Sequence, residues 1–477
     1  MMCRQFRKPR TRAGGYKGAT SATMTDASRL LSAPFIDRRV PAHIQRVWRR
    51  RFPPASSSAS AQTLSHAPFY YPAFRLFWFA RLSTTFAYQM FGVAVGWQIY
   101  DLTRSAYVLG LVGLAQFLPS VVLVLASGHI ADRYDRRYVV RACQAIEALV
   151  ALALAVMAAN GHADVQPIFL CVVVIGAMRA FETPTLQALL PTLVPLQALP
   201  RAVALSSSAG QTGVILGPAL GGFLYVAGAP VVYATAAGLF LLAHMLLALV
   251  RMERAVPVST PVSLESLFAG IAFIKGRPVV LGAISLDLFA VLLGGATALL
   301  PIYARDILGT GAWGLGLLRS APAVGALGMA LFLAHRPLDR HVGRVMFAAV
   351  AVFGLATLVF GVSRWLPLSM LALVLLGASD MISVVIRTSL VQLDTPDAMR
   401  GRVSAVNSVF VGASNQLGEF ESGMLAGLLG PVASVVIGGL GTLLVVAAWM
   451  RLFPALTQRD RMRDPHPEPA GHPSSGG

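Results

Sequence analysis

The sequence predicts an all-α membrane protein of twelve transmembrane helices arranged as two matching six-helix bundles. Three observations carry that prediction. The 477 residues are 56% hydrophobic and 13% charged, with a mean hydropathy of +0.66, whereas soluble chains carry roughly 25% charged residues. Apolar segments of about 20 residues, the length a helix needs to cross a hydrocarbon core, recur from Phe74 to Phe453. The second group of segments also repeats features of the first at an offset of about 205 residues.

The first 66 residues read as a disordered basic tail, rich in Arg, Ser, Ala and Pro. They hold thirteen Lys/Arg against Asp26 and Asp37, a balance of +11 within the chain's total of +18. No apolar stretch of signal-peptide length interrupts them. A transit peptide or a start codon set too far upstream, with Met24 as an internal start, are the other readings of this tail. The hydrophobic body is only modestly basic and lacks a polar binding face, so no nucleic-acid partner is expected.

Six segments follow, near 74–100, 107–127, 138–158, 165–187, 202–227 and 229–250, forming a first bundle over 67–250. A cytoplasmic linker over 251–278 carries the amphipathic stretch SLESLFAGIAFIKG. Six more segments, near 279–303, 312–334, 344–362, 366–391, 402–427 and 430–453, form a second bundle over 279–453, and residues 454–477 read as a disordered tail. The runs are continuous instead of alternating, which excludes a β-barrel. Loops after even-numbered segments hold fourteen Lys/Arg, and loops after odd-numbered ones only Arg104, Arg305 and Arg364. The even loops and both termini are therefore expected in the cytoplasm.

The repeat aligns Asp132 with Asp339, Arg133 with Arg340 and Arg137 with Arg344. It also aligns the QTG at Gln211 with the QLG at Gln416, and Gly222 with Gly427. Paired bundles of this kind suit a transporter whose site lies between them.

Two motifs carry chemistry. The loop GHIADRYDRR places Gly128, read as a helix-ending glycine, and Asp132 beside Arg133, Arg136 and Arg137. With Asp339 and Arg340 in the second copy, these charges can latch the cytoplasmic ends of the bundles, although a basic loop also serves as a topology anchor. Segment 5 contains GVILGPALGG, in which Gly213, Gly217, Gly221 and Gly222 allow close helix approach and Pro218 bends the rod.

With these strings the chain resembles the major facilitator superfamily. The loop is similar to that superfamily's signature after helix 2, G-x-x-x-D-R/K-x-G-R/K-R/K, and segment 5 to its antiporter motif, G-x-x-x-G-P-x-x-G-G. Asp135 stands where the family often has glycine, and His335 replaces the glycine in the second copy. PDAMRGRVSAVNSVF (Pro396 to Phe410) and the stretch Leu299 to Leu327 resemble the branch of bacterial siderophore and drug exporters that includes the enterobactin exporter. The resemblance covers about 67–453. It implies the major facilitator fold, alternating access and proton-driven efflux from a bacterial inner membrane.

Ionisable residues inside apolar segments are site candidates, because a charge in hydrocarbon needs a cavity or a partner. Asp287, Glu147, Glu419 and Glu421 are the proton-coupling candidates. Asp287 stands alone in LGAISLDLFAVLLGG, able to load and release a proton, while Glu419 and Glu421, two apart, point in different directions. Substrate-cavity candidates are Arg179, Glu182, Arg387, Asp380, Gln89, Gln116 and Asn415. Arg179 and Glu182 can pair on one face, and the repeat places Arg387 close to the counterpart of Arg179. Arg319, near the mouth of segment 8, reads as a snorkelling residue.

No nucleotide loop, zinc motif or nucleophile elbow occurs, so no enzyme activity, cofactor or metal is expected. The expected partners are the bilayer, a small-molecule substrate and protons, with the chain acting as a monomer. The leading function is export of a small amphipathic molecule by proton antiport. Uptake by symport or facilitated diffusion, and a membrane sensor that keeps the transporter fold, remain the alternatives.

Overall fold

A computed structural model describes residues 68–251, 264–336, 338 and 340–462, all within one compact unit spanning Leu64–Gly477. The basic tail, residues 252–263 of the linker and the last fifteen residues lie outside the described residues. Thirteen helices of twelve residues or more run through the described part. They are α1 (Pro72–Thr103), α2 (Ala106–Arg133), α3 (Arg136–Ala159), α4 (Val165–Leu189), α5 (Leu199–Tyr225) and α6 (Ala229–Ala248), then the short α7 (Leu264–Lys275). After it come α8 (Pro278–Leu293), α9 (Gly311–His335), α10 (Val342–Val362), α11 (Leu366–Leu393), α12 (Asp397–Leu429) and α13 (Pro431–Leu452).

Seven of these, and the run Pro278–Ile307 that α8 opens, are long and apolar enough to cross a membrane. The long helices outside that group are α1, α2, α5 and α12, although α2 contributes the apolar stretch Ala106–Pro119. All four pack against the opposite set of helices. A helix that faces protein needs small and polar residues more than greasy ones.

Helix ends follow local chemistry. Arg104 closes α1 in the left-handed region (φ 51°), its N–H donating to the Tyr100 carbonyl. Asp135 caps α3 by accepting from the Arg137 N–H at 2.9 Å. That cap ends the preceding turn, so α2 continues to Arg133 and Gly128 lies inside it, a correction to the reading of Gly128 as helix-ending. The seventh segment is also not one continuous rod. α8 stops at Leu293, Gly294 and Gly295 break the path, and the chain resumes as a 3-10 turn (Ala296–Leu299), a helical turn and a π turn (Tyr303–Ile307). Gly295 lies so close to the Gly418 backbone of α12 that no side chain fits there.

Packing repeats between the sets. α1 lies on α5 and α6, α2 on α4, and α3 on α4 and α6; correspondingly α8 lies on α12 and α13, α9 on α11, and α10 on α11 and α13. The sets meet through α5 against α9 and α2 against α12. One apolar core joins both sets toward the ends bearing the odd-numbered loops, uniting Phe91, Ile99 and Tyr233 with Leu299, Tyr303, Leu315 and Phe360. At the other end the core divides. Phe74, Phe77, Leu189 and Leu247 pack within the first set, and Met346, Phe347 and Leu390 within the second.

Candidate functional site

Between the sets lies a cavity of about 260 Å³, lined by Tyr88 of α1, Gln116 and Phe117 of α2, Gly176 and Arg179 of α4, and Ser408, Val409, Gly412, Ala413 and Gln416 of α12. A smaller chamber of about 40 Å³ continues toward the odd-loop end. It shares Gln116 and is lined by Gly92, Gly96, Gly113, Thr297, Arg319 and Glu419, among others.

Buried pairs brace the cavity wall. Arg179 Nη1 lies 2.8 Å from Glu182 Oε2, and its guanidinium sits 4.4 Å over the Tyr88 ring. Gln144 donates to both Glu182 and Thr84 at 3.0 Å, and the Tyr88 hydroxyl donates to Gln116 Oε1 at 3.2 Å. Beside them Glu147 is fully buried with neither carboxyl oxygen hydrogen-bonded.

In the second set Arg387 Nη1 lies 2.9 Å from Asp287 Oδ2 and 3.3 Å from Asn407 Oδ1, and Ser383 donates to Asp287 Oδ1 at 3.3 Å. Asp287, alone along the chain, is thus partnered in space by a residue of α11. A water-sized void of about 10 Å³ beside it is lined by Asp380, Ser379 and Ser383. Asp380 therefore stands with the Asp287 group and does not line the central cavity.

Three further candidates lie outside the lining of the two spaces. Gln89 packs against Gly217 of α5. Asn415 is exposed and donates to the Val411 carbonyl of its own helix. Glu421 accepts a long hydrogen bond from Ser422 at 3.5 Å, whereas Glu419 faces the chamber, where Thr297 donates to it at 3.5 Å. Arg319 does not snorkel. Its Nη1 crosses to the other set and donates to the Gly92 carbonyl of α1 at 3.1 Å.

The glycines of α5 have separate uses. A Cβ on Gly213, Gly217 or Gly221 would lie 2.6 Å from Thr85, 2.8 Å from Gln89 or 2.9 Å from Met90, so this stripe seats α1. Gly222 turns to the other set, where a Cβ would lie 2.5 Å from the Ala312 carbonyl oxygen and 2.9 Å from Gly316 Cα. In return, a Cβ on Gly316 would lie 2.6 Å from the Pro218 carbonyl oxygen. Gly110 and Gly423 make the equivalent close contact between α2 and α12.

The odd-loop end carries a cluster that sequence reasoning missed. Arg305 pairs with Asp101, Arg104 Nη1 lies 3.8 Å from Asp306, and the Tyr100 hydroxyl donates to Asp306. The Arg305 guanidinium also stands 5.4 Å over Trp97. Each of these links joins α1 or the residue ending it to the turn after α8. The signal was present in the repeat, because Asp101 and Asp306 are related by the same offset as Gln211 and Gln416.

At the opposite end, Arg136 donates to the Ala188 carbonyl at 3.0 Å and Arg137 to the Val250 carbonyl at 2.6 Å. These bonds neutralise helix C-termini within the first set. Arg133 and Arg340 are exposed, while the Asp132 side chain and Asp339 lie outside the described residues.

An all-helical bundle with spans long enough for a bilayer and an internal charged cavity defines a membrane transporter. The chain belongs to the major facilitator superfamily, within the family described as transmembrane secretion effector (MFS_3), whose model matches residues 63–470. It is 28% identical over 411 residues to the enterobactin exporter EntS of Citrobacter koseri, covering 84% of this chain and 96% of that one. With EntS of Shigella boydii serotype 4 it shares 27% identity, covering 79% and 90% respectively. Solved structures share the fold. The nucleoside transporter NupG matches with a TM-score of 0.64 at 13% identity, over 81% of this chain and 99% of that one. A bacterial homologue of the lysosomal transporter Spinster, inward-facing and unoccupied, matches with 0.62 at 14% identity, over 81% and 95%.

Proposed function

We propose that this protein exports a small amphipathic molecule, of drug or siderophore type, from the bacterial cytoplasm by alternating access coupled to proton entry. The observation that carries the reading is one-sided closure. The cavity lies between two similarly packed sets whose shared core and cross-set ion pairs sit on the odd-loop side. With the even loops cytoplasmic, as fourteen Lys/Arg against three favour, this form loads from the cytoplasm, and export requires breaking the seal. The twelve spans, two bundles and cytoplasmic termini belong to the same reading, as do the monomeric state and the latch of Asp132, Arg133, Asp339 and Arg340.

Among the acids, Glu147 best supports proton coupling. A carboxyl with no partner is costly in either charge state unless another conformation satisfies it. Glu182 and Arg179 stand within electrostatic reach of it, so a rearranged Arg179 can answer its charge once the proton leaves. Asp287, Glu419 and Glu421 are the further coupling candidates.

A strain lacking the gene, profiled for hypersensitivity to amphipathic compounds and for siderophore secretion under iron limitation, tests export and supplies a substrate. Loss of resistance or of secretion is expected, and a profile identical to the parent removes the export reading. Transport of that substrate in proteoliposomes should then follow an imposed pH gradient, and indifference to the gradient removes proton coupling.

A further inference from the structure

The charges around the cavity do not balance at its surface. Glu182 and Glu147 are fully buried behind the wall, whereas 26% of the Arg179 side chain is exposed, and Arg179 is the charged residue lining the larger space. The adjoining chamber adds Arg319 and Glu419. A ligand spanning both therefore meets two guanidiniums and one carboxylate. Arg81, held by Ser206 at 2.9 Å, adds positive charge within electrostatic reach of Arg179.

Both guanidiniums are held in fixed orientation with donors to spare. Arg179 bonds Glu182 through one nitrogen and stands 4.4 Å over the Tyr88 ring. Arg319 bonds the Gly92 carbonyl through Nη1 and rests on a glycine trough, where Cβ positions on Gly92 and Gly96 would lie 3.5 and 3.9 Å from its nitrogens. A guanidinium carries five N–H donors and no acceptor, so each retains capacity for an acidic group. Gln116 lines both spaces and accepts from the Tyr88 hydroxyl at 3.2 Å, so one side chain links the space that Arg179 lines with the chamber that Arg319 lines. Apolar surface for the rest of a ligand comes from Tyr88, Phe117 and Val409.

We infer that the cavity takes an amphipathic anion. Its apolar or aromatic body lies against Tyr88, Phe117 and Val409, and its acidic group enters the space between Arg179 and Arg319. This rests on the transporter reading for its site and deepens it by naming the headgroup chemistry. Glu419 lies against Gly113, where an added Cβ would stand 3.0 Å from its Oε2, and shares the chamber wall with Arg319, so Arg179 is the arginine whose cavity face has no acid beside it.

The test uses full-length protein in phosphatidylcholine nanodiscs, with empty nanodiscs subtracted. Three probes share one aromatic body: naphthaleneacetate, its neutral amide and the naphthylethylammonium cation. Isothermal titration should rank the anion about tenfold tighter than the cation, the factor expected when one charge-assisted hydrogen bond is gained. Arg319→Gln should remove most of that advantage, and Arg319→Lys, which keeps the charge and loses the planar fork, should fall between. Cation binding as tight as the anion's, an anion advantage unchanged in Arg319→Gln, or no saturable binding of any probe would each overturn the inference. None of these outcomes touches alternating access, which is read separately by the reactivity of a cysteine placed at Val112.

Discussion

Asp101, near the end of α1, and Asp306, in the turn after α8, occupy equivalent places in the internal repeat, and each is held by an arginine from the other set of helices. The exchange is reciprocal, Arg305 to Asp101 and Arg104 to Asp306, although the offset that relates the two aspartates does not relate the two arginines. Arg305 is a quarter exposed and the other three about half exposed, and each such pair contributes only about 0.5 kcal/mol. Pairs this weak bias the two sets without locking them.

Reversing one charge should loosen this end without unfolding the protein. Arg305→Asp is expected to raise the labelling rate of a cysteine at Val112 by about two- to fivefold, the population shift that ~0.5–1 kcal/mol supplies. The probe is a membrane-impermeant maleimide applied from the odd-loop side, in a background whose three native cysteines are replaced. Asp101→Arg combined with Arg305→Asp should return the rate toward the parent's, because the pair is remade in reverse.

Gly222→Ala should act on the same equilibrium through sterics. The added methyl meets the Ala312 carbonyl and Gly316 of α9, and relief requires α5 and α9 to separate, at ~1–3 kcal/mol for overpacking. The same labelling assay is expected to show a larger increase than Arg305→Asp produces. Gly238→Ala, where the new Cβ meets nothing within 4 Å, should leave labelling unchanged.

Glu147→Met should stabilise the protein and impair transport. The carboxyl is fully buried with both oxygens unbonded, so an apolar side chain of similar length relieves about 1–3 kcal/mol of unmet hydrogen bonding. A higher melting temperature in detergent, together with transport that ignores a pH gradient, is the expected combination. A lower melting temperature would show that the carboxyl has a partner in the resting form.

Asp287→Ala should destabilise more than the double change Asp287→Ala with Arg387→Ala. The single change leaves a guanidinium that is 4% exposed without its ion-pair partner and with only Asn407 Oδ1 to accept from it, at ~3–5 kcal/mol, while removing both charges removes the desolvation cost as well. Melting temperatures of the two variants give the order directly, and a double mutant less stable than the single would refute the pair's role.

Much of the architecture was legible in the sequence because its signals are local. The spacing of apolar runs placed each long helix, and Gly228 and Gly430, at φ 105° and 88°, stand where the chain breaks before α6 and α13. The i,i+3 relation of Arg179 and Glu182 announced their pairing. The Gly294–Gly295 break was hidden inside an apolar run, since what excludes a side chain is Phe353 of α10 at Gly294 and the backbone of α12 at Gly295, both distant along the chain. Gln89 is another case: its polarity is legible in the sequence, whereas the seat of its Cβ against Gly217 depends on α5.

By itself the sequence determined the membrane class, the long helices, the doubled pattern and the distribution of basic loops, because hydropathy and helical periodicity act within one turn or one span. Tertiary structure alone decided which end is sealed, which arginine answers Asp287, that Arg319 reaches Gly92, and that Glu147 is left without a partner. Each of those outcomes depends on what another helix brings to within a few ångströms. In a low-dielectric interior, that neighbour sets the cost of a charge.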